Sequence, residues 1–181
     1  MGGEVAGSSP AVAPILLFVV AAANAVGLEG TVLYFAYGSN MDPEQISARC
    51  PDAVVVGIGF MADYMLCFPR RSARRNCGVS SVIPCEGQNT WGVVYRLTAR
   101  DLAALDANEG FRSDRAAELN SYNRVTVIVQ IDDVPTEMLT YIAVGQENAP
   151  LPNAEYLKHI RDGARHHGLP PAYLEYIDGI E

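Results

Sequence analysis

The chain has 181 residues, which predicts one domain whose core is large enough to form without disulfides or metal ions. Hydrophobic residues make up 49% and charged residues 19%, so the composition is that of an ordinary globular protein and excludes a disordered one. The formal net charge of -8 repels phosphate backbones and anionic lipids, and we therefore expect no binding of nucleic acid or of a membrane surface.

The apolar start of the chain is the exception to this composition. Residues 11–28 carry no charge, and Ala23-Asn24-Ala25 resembles the cleavage site of a secretory signal. The residues before this stretch include Glu4 but no lysine or arginine, which weakens the signal-peptide interpretation. Small and polar residues make the stretch a poor bilayer span. We predict that residues 1–30 are an N-terminal appendage and candidate leader, followed by one domain over residues 31–181.

The cysteines give no sign of a metal or redox centre, because Cys50, Cys67, Cys77 and Cys85 contain no CxxC pair. We expect reduced thiols packed in the core of a cytoplasmic protein. A cleaved leader would instead export the mature chain, and its cysteines could then pair.

The domain begins with a predicted strand, the apolar run over residues 32–37. Gly38-Ser39-Asn40 follows it as a turn, in which Gly38 and Asn40 tolerate positive φ, the commonest use of such residues. Asp42 before Pro43 predicts the start of a short helix that ends near Arg49.

Three further strands are predicted at residues 53–68, 79–83 and 91–97. The first two are separated by a basic segment, residues 69–75, which holds Arg70, Arg71, Arg74 and Arg75. Those arginines could meet a carboxylate of a substrate, but a charge run of this kind is more often a solvated loop.

The second half of the domain alternates between helices and a hairpin. Thr98 and Asp101 predict a capping box for a helix that ends at Gly110. Alternating apolar residues over 125–131 and the return over 138–144 predict a hairpin. Asn153 then begins a helix that Gly168 ends, and a last short helix follows. These elements predict an α+β fold, a small mixed sheet curled toward a barrel and flanked by helices.

Glu109 is the most informative single residue. An anionic side chain in the last turn of a helix faces the negative end of the helix dipole, which costs several tenths of a kcal/mol. The same field raises the carboxyl pKa above its reference value of about 4.3, as a general base requires. An exposed glutamate at a helix end is the commoner explanation for such a residue.

Other site chemistries find little support. The turn after the first strand is either an ordinary turn or a cradle of backbone N–H groups for an anion. His159, His166 and His167 cannot converge on one metal ion from a single helix. Ser39 lacks a GxSxG context, and the chain has neither a P-loop nor a GxGxxG motif, so a nucleotide cofactor lacks support.

Three separated motifs carry a family resemblance. Residues 34–41 (YFAYGSNM), 91–95 (WGVVY) and 105–110 (LDANEG) resemble, in this order, motifs of γ-glutamylcyclotransferases. Residues 147–150 (ENAP), 155–158 (EYLK) and 168–170 (GLP) look like the C-terminal part of the branch specific for γ-glutamyl dipeptides. The resemblance extends from about residue 31 to residue 181.

The resemblance implies a cofactor-independent enzyme that converts a γ-glutamyl amino acid to 5-oxoproline and a free amino acid, as part of glutathione metabolism. It implies a small mixed barrel, a cytosolic location and a homodimer. Glu109 matches the catalytic glutamate. The matching substrate-binding residues are Tyr37, Gly38, Ser39, Asn40, Met41, Tyr122, Tyr141 and Tyr156.

Two alternatives stay open at this point. The substrate could be a γ-glutamylamine or another molecule with a γ-glutamyl group, because those branches share the loop and the glutamate. A protein of a different class, a module that binds γ-glutamyl ligands without turnover, would also retain the pocket.

Overall fold

The computed structural model describes residues 26–27 and 30–181 of the chain. Most of the predicted appendage, residues 1–30, therefore lies outside the described residues. Among the helices that are described, we find no segment with the length and hydrophobicity needed to cross a bilayer.

The described chain forms a mixed sheet and four α-helices. The strands are β1 (Val26–Gly27), β2 (Thr31–Ala36), β3 (Val54–Ser72), β4 (Cys77–Thr98), β5 (Tyr122–Ile131) and β6 (Val134–Ala143). The helices are α1 (Pro43–Arg49), α2 (Ala99–Glu109), α3 (Ala154–His166) and α4 (Pro171–Asp178). Short 3₁₀ turns lie at Ser39–Met41 and Ala117–Leu119. The α+β class predicted from the sequence is confirmed.

The strands pair in the order β1-β2-β4-β3-β5-β6, and β2 also pairs with β6. The pairing of β2 with β4 is antiparallel, whereas that with β6 is parallel and joins Tyr34 to Leu139. Because both neighbours cover β2, its last residues are fully buried, and Phe35 is 0% exposed. The predicted apolar strand is thus a central one, and its carboxyl end leads directly into the 3₁₀ turn.

A long hairpin of β3 and β4 differs from the prediction. The basic segment is not a separate loop, because β3 continues to Ser72 and pairs with Cys77 across a tight turn in which Asn76 has φ 51°. Strand β4 is continuous where two strands were predicted. Its polar residues between Pro84 and Trp91 remain extended since pairing with β3 outweighs their weak strand propensity. The arginines therefore lie at the tip of a hairpin.

The helix ends follow the predicted local signals. Asp42 accepts hydrogen bonds from Glu44 and Gln45 at the start of α1, and Thr98 with Asp101 forms a complete capping box at α2. Gly110 ends α2 in the left-handed region, with φ 65°. Such contacts lie within a few residues of each other, and the sequence alone predicts them well.

The cysteines are free thiols, as expected, but only two lie fully in the core. Cys50 and Cys77 are buried, whereas Cys67 and Cys85 are partly exposed. Burial raises the pKa of Cys50 to about 12 and that of Cys67 to about 11, so both are poor nucleophiles at neutral pH.

Helix α3 packs directly on the backbone of the turn after β2. A Cβ atom on Gly163 would lie 2.4 Å from the carbonyl carbon of Met41 and 2.6 Å from the nitrogen of Asp42. Nearby, His159 contacts the Asp42 carboxylate, and His167 Nε2 lies 3.1 Å from the Met41 carbonyl oxygen. The C-terminal part of the chain thus holds this turn against the end of β2.

Gly163→Ala tests that contact. Alanine stabilises a helix interior by about 1 kcal/mol over glycine, but here its methyl group would have to displace backbone. We expect a loss of about 1–3 kcal/mol in the free energy of unfolding, measured by urea denaturation. Gly57→Ala is the control, because a Cβ atom there meets nothing within 4 Å. A Gly163→Ala variant as stable as the parent would contradict the contact.

Candidate active site

A cavity of about 620 Å³ lies where the turn after β2, the end of α2 and the tip of the β3–β4 hairpin meet. Its volume is in the range of about 300–1,000 Å³ that is usual for small-molecule sites. It brings together seven of the eight predicted binding residues and the predicted catalytic glutamate: Tyr37, Gly38, Ser39, Asn40, Tyr122, Tyr141, Tyr156 and Glu109. Met41 is the exception, because its side chain is 0% exposed and packs in the core.

Glu109 is the last residue of α2, and its side chain is only 12% exposed. Its Oε1 atom accepts hydrogen bonds from Asn40 Nδ2 at 3.0 Å and from Arg49 Nη1 at 3.1 Å. Within the described part of the chain, no donor contacts the second oxygen, Oε2. One oxygen is therefore held in place, and the other is available to a bound molecule.

The pKa of Glu109 is raised, in the direction predicted, but mainly for another reason. Burial raises the pKa, and the cation of Arg49 and the hydrogen bond from Asn40 oppose that effect. The position at the helix end acts in the same direction as burial. The interpretation of Glu109 as an exposed glutamate at a helix end is wrong, because its side chain is mostly buried and contacts Arg49 of α1 and Asn40 of the turn after β2.

Asn40 connects this carboxylate to the turn after β2. Its Nδ2 group donates to Glu109 and also to the hydroxyl of Tyr34, at 2.9 Å. Its Oδ1 atom accepts from Arg49 at 2.7 Å and from Gln45 at 2.9 Å. Because donors and acceptors are all engaged, the orientation of this amide is fixed by its neighbours.

The hydroxyl group of Tyr34 has an unused hydrogen-bond donor. Its hydroxyl oxygen accepts from Asn40, and the O–H group donates to no acceptor in the described chain. Burial raises the pKa of Tyr34 well above its usual value, so the proton stays in place at neutral pH. The residue lines the cavity and can donate a hydrogen bond to a ligand oxygen.

Glycine is required at position 38 because the turn lies close to β4, and not because of positive φ. Its φ is -117°, and neither Gly38 nor Asn40 is among the residues with positive φ, so the tolerance of positive φ at these positions is not used. A Cβ atom on Gly38 would lie 2.1 Å from Oγ of Ser80 on β4. Ser80 in turn contacts the Tyr156 hydroxyl, at 2.7 Å from Oγ and 2.9 Å from its backbone nitrogen. The turn can therefore pack against Ser80 of β4 only if residue 38 has no side chain.

The turn presents free backbone donors. The N–H groups of Met41 and Asp42 donate to the carbonyls of Gly38 and Ser39, at 3.0 Å and 3.1 Å. Those of Gly38, Ser39 and Asn40 donate no hydrogen bond within residues 30–181. Consecutive free N–H groups of this kind can bind a carboxylate or an oxyanion.

The pocket tyrosines are held by hydrogen bonds to the surrounding strands and to α2. Tyr122 donates to the Ser80 carbonyl at 2.8 Å, and Tyr141 donates to Asp106 at 2.7 Å. Tyr37 donates to the carbonyl of Tyr141. Burial raises the pKa of all three hydroxyls, so they are neutral at physiological pH. They shape the cavity but none is poised to act as a base.

Among the described residues, no group of three His, Cys, Asp or Glu side chains is arranged to hold a metal ion. Histidines in α3 and at its C-cap have structural contacts instead. His159 contacts Asp42, and His167 lies between the Met41 carbonyl and the hydroxyl of Tyr95.

Sequence reasoning missed several residues of the site. The sequence predicts no site role for Arg49, which pairs with Glu109, or for Tyr34, although Tyr34 begins the motif at residues 34–41. The hairpin arginines had been given little weight, yet Arg70, Arg71, Arg74 and Arg75 all line the cavity. The one available signal was a run of basic residues in an acidic chain.

The fold and the site define a small α+β protein with a buried carboxylate at one end of a cavity for a small molecule. A γ-glutamylcyclotransferase of Mus musculus is 34% identical over 165 residues, which cover 86% of this chain and 82% of the relative. One of Bos taurus is 32% identical, with 82% and 78% coverage. The sequence pattern of the AIG2-like family matches residues 89–177. This chain belongs to the γ-glutamylcyclotransferase family.

The fold agrees with that assignment. A solved structure of a gamma-glutamyl cyclotransferase superposes with a TM-score of 0.74 at 31% sequence identity, over 83% of this chain and 88% of the other. The mixed α+β architecture is therefore that of the family.

Arg49→Met tests the electrostatics of the carboxylate. Removing the cation takes away the largest of the effects that oppose burial, so we expect the pKa of Glu109 to rise further. Carbon-13 NMR titration of the labelled carboxyl group measures it. Arg100→Met is the matched control, because Arg100 is exposed and lies outside the cavity. An unchanged or lower pKa in Arg49→Met would show that the ion pair does not govern Glu109.

Proposed function

We propose that the protein is a γ-glutamylcyclotransferase that converts γ-glutamyl amino acids to 5-oxoproline and a free amino acid. The observation that carries the proposal is that only one of the two carboxylate oxygens of Glu109 is hydrogen-bonded. Its Oε1 atom is held by Asn40 and Arg49, whereas Oε2 is free at the cavity. Such a carboxylate is positioned to accept a proton from a bound amine.

In the reaction, the α-amine of the substrate attacks its own γ-carbonyl carbon. Well-oriented intramolecular attack corresponds to effective molarities of about 10⁵ M or more, so positioning supplies most of the rate. The amine has a reference pKa near 8 and is largely protonated at pH 7. Glu109 removes a proton from the amine, and the raised pKa of the carboxyl group brings it closer to that of the amine.

The same carboxyl group then completes the reaction. As the amide bond between the γ-carbon and the leaving nitrogen breaks, protonated Glu109 returns the first proton to that nitrogen. The regenerated carboxylate takes the second surplus proton from the ring nitrogen, so that 5-oxoproline forms with a single N–H. That proton also passes to the released amine, which leaves as the free amino acid in its ammonium form. Negative charge develops on the γ-carbonyl oxygen before the bond breaks. The free N–H groups of Gly38 to Asn40 and the unused O–H of Tyr34 are the donors that can stabilise it.

Turnover explains the site better than simple binding does. A module that only held a γ-glutamyl ligand could use a free carboxylate oxygen to bind the α-ammonium group, but it would gain nothing from burial that raises the pKa of Glu109 and disfavours its ionised form. An unpaired oxygen is useful to a base that must contact a proton of the substrate.

We also propose that the sheet closes into a small barrel, because the pairings run from β2 through β4, β3, β5 and β6 and return to β2. The homodimer and the cytosolic location implied by the family resemblance stay predictions. So does the division into a leader over residues 1–30 and a domain over residues 31–181.

Glu109→Gln tests the base directly. The amide keeps the size and can still accept hydrogen bonds from Asn40 and Arg49, but it cannot take up the proton. We expect release of 5-oxoproline from γ-glutamyl-alanine to fall by at least about 100-fold, with an unchanged circular dichroism spectrum. Glu118→Gln, on an exposed turn, is the control. Substantial turnover by Glu109→Gln would disprove the assignment.

Gly38→Ala tests the close approach of the turn to β4. The new Cβ atom, 2.1 Å from Ser80 Oγ in the present geometry, must push the turn away from the cavity wall. A displacement near 1 Å can reduce turnover about 100-fold, and we expect a loss of this order in kcat/KM, with a larger one for Gly38→Val. Gly145→Ala is the control, since its Cβ atom would lie 3.8 Å from Pro69 in ordinary contact. Normal kinetics in Gly38→Val would rule out the cradle.

A further inference from the structure

The cavity is strongly basic although the chain is acidic. Its net charge is -8, yet the side chains that line the cavity include five arginines and, among the described residues, a single carboxylate, Glu109. The arginines are Arg49, Arg70, Arg71, Arg74 and Arg75. Such a local excess of positive charge attracts anionic ligands.

Only one of these cations is neutralised by the protein. Arg49 forms an ion pair with Glu109, whereas the four arginines of the hairpin tip form none with any carboxylate in the described chain. Arginines are otherwise paired frequently in this protein, as in the ion pairs of Arg124 with Asp106 and of Arg165 with Asp178. The hairpin tip is therefore a place where an external anion would meet unpaired guanidinium groups.

The four arginines differ in how firmly they are held. Arg70 donates to the Val144 carbonyl at 2.8 Å and is a structural support. Arg75 lies over the ring of Tyr156, 5.0 Å from its centroid, and donates to Gln45. Arg71 is exposed, and its guanidinium group donates to Asn76, whereas its backbone N–H donates to Gln146. Arg74 is exposed and makes no hydrogen bond or ion pair within the described residues.

Arg75 fixes the position of the tip relative to the reacting centre. Gln45, which accepts from Arg75, donates to Asn40, and Asn40 donates to Glu109. A chain of three hydrogen bonds thus connects the hairpin tip to the carboxylate. The positive charges of Arg75 and Arg74 also act on Glu109 and lower its pKa, as expected for groups that share one cavity.

We infer that Arg71, Arg74 and Arg75 form a subsite for the carboxylate of the leaving amino acid. The inference rests on the proposed function, because cleavage of a γ-glutamyl dipeptide requires one end of the substrate at Glu109 and the turn after β2. The other end, with its own carboxylate, then extends toward the hairpin tip. Guanidinium groups bind carboxylates through paired, charge-assisted hydrogen bonds.

The subsite defines the class of substrate. A γ-glutamyl α-amino acid with a free carboxylate is preferred over a γ-glutamylamine or an amidated dipeptide, whose leaving group carries no negative charge. The three guanidinium groups carry more positive charge than one carboxylate can neutralise. A leaving amino acid whose side chain is also acidic is therefore expected to bind most tightly.

The test compares γ-glutamyl-alanine with γ-glutamyl-alaninamide, which differ only in that carboxylate. The parent protein is expected to prefer the acid by at least about tenfold in kcat/KM, the effect of one charge-assisted hydrogen bond. In Arg74→Gln the preference falls, and in Arg71→Gln/Arg74→Gln it nearly disappears. The loss lies in KM for the acid, because this contact is the same in the ground and transition states.

Arg100→Gln removes the same charge from an exposed position outside the cavity and should leave the preference intact. Equal efficiency of the parent on both substrates would overturn the subsite, although release of 5-oxoproline would still support the proposed function. An equal fall in Arg100→Gln and Arg74→Gln would also overturn it, since only overall charge would then matter.

Failure to release 5-oxoproline from either substrate would overturn the proposed function. The subsite is then tested by comparing the affinities of the protein for the two substrates. Calorimetric titration of Glu109→Gln with the two substrates measures these affinities without turnover. Tighter binding of the acid by about tenfold supports the subsite, and equal binding contradicts it.

Discussion

The site depends on the need to keep one carboxylate buried and ionisable at the end of α2. Burial disfavours the charged form of Glu109, and Arg49 and Asn40 reduce that cost through contacts to a single oxygen. If both oxygens were bonded, the group would be more stable and less able to contact a substrate. Each neighbouring element supplies part of this arrangement, since α1 carries Arg49 and the turn after β2 carries Asn40.

Local structure was predictable from the sequence because its causes are local. The caps at Asp42 and Thr98 and the glycine at the end of α2 act over three or four residues, and the structure confirms them. The central strand β2 followed from an unbroken apolar run. The breaks predicted within the β3–β4 hairpin were wrong, because pairing between distant residues keeps polar segments extended.

The site was predictable only in part, and the limit is physical. Glu109 and the turn after β2 were identified through short motifs that include them. Arg49 and Glu109 are 60 positions apart, and Gly38 meets Ser80 on another strand, so neither contact leaves a local pattern. The basic segment was visible in the sequence, but its position beside the cavity follows from the length of the hairpin.

The packing of α3 on the turn after β2 has a consequence for the order of events during synthesis. The turn is among the first parts of the domain to be made, whereas Gly163, which closes against Met41 and Asp42, follows more than a hundred residues later. A nascent chain can form the β3–β4 hairpin early, but the turn after β2 lacks its contact with α3 until that helix has been made. The packing of the first turn of the domain therefore has to wait for nearly the last part of the chain.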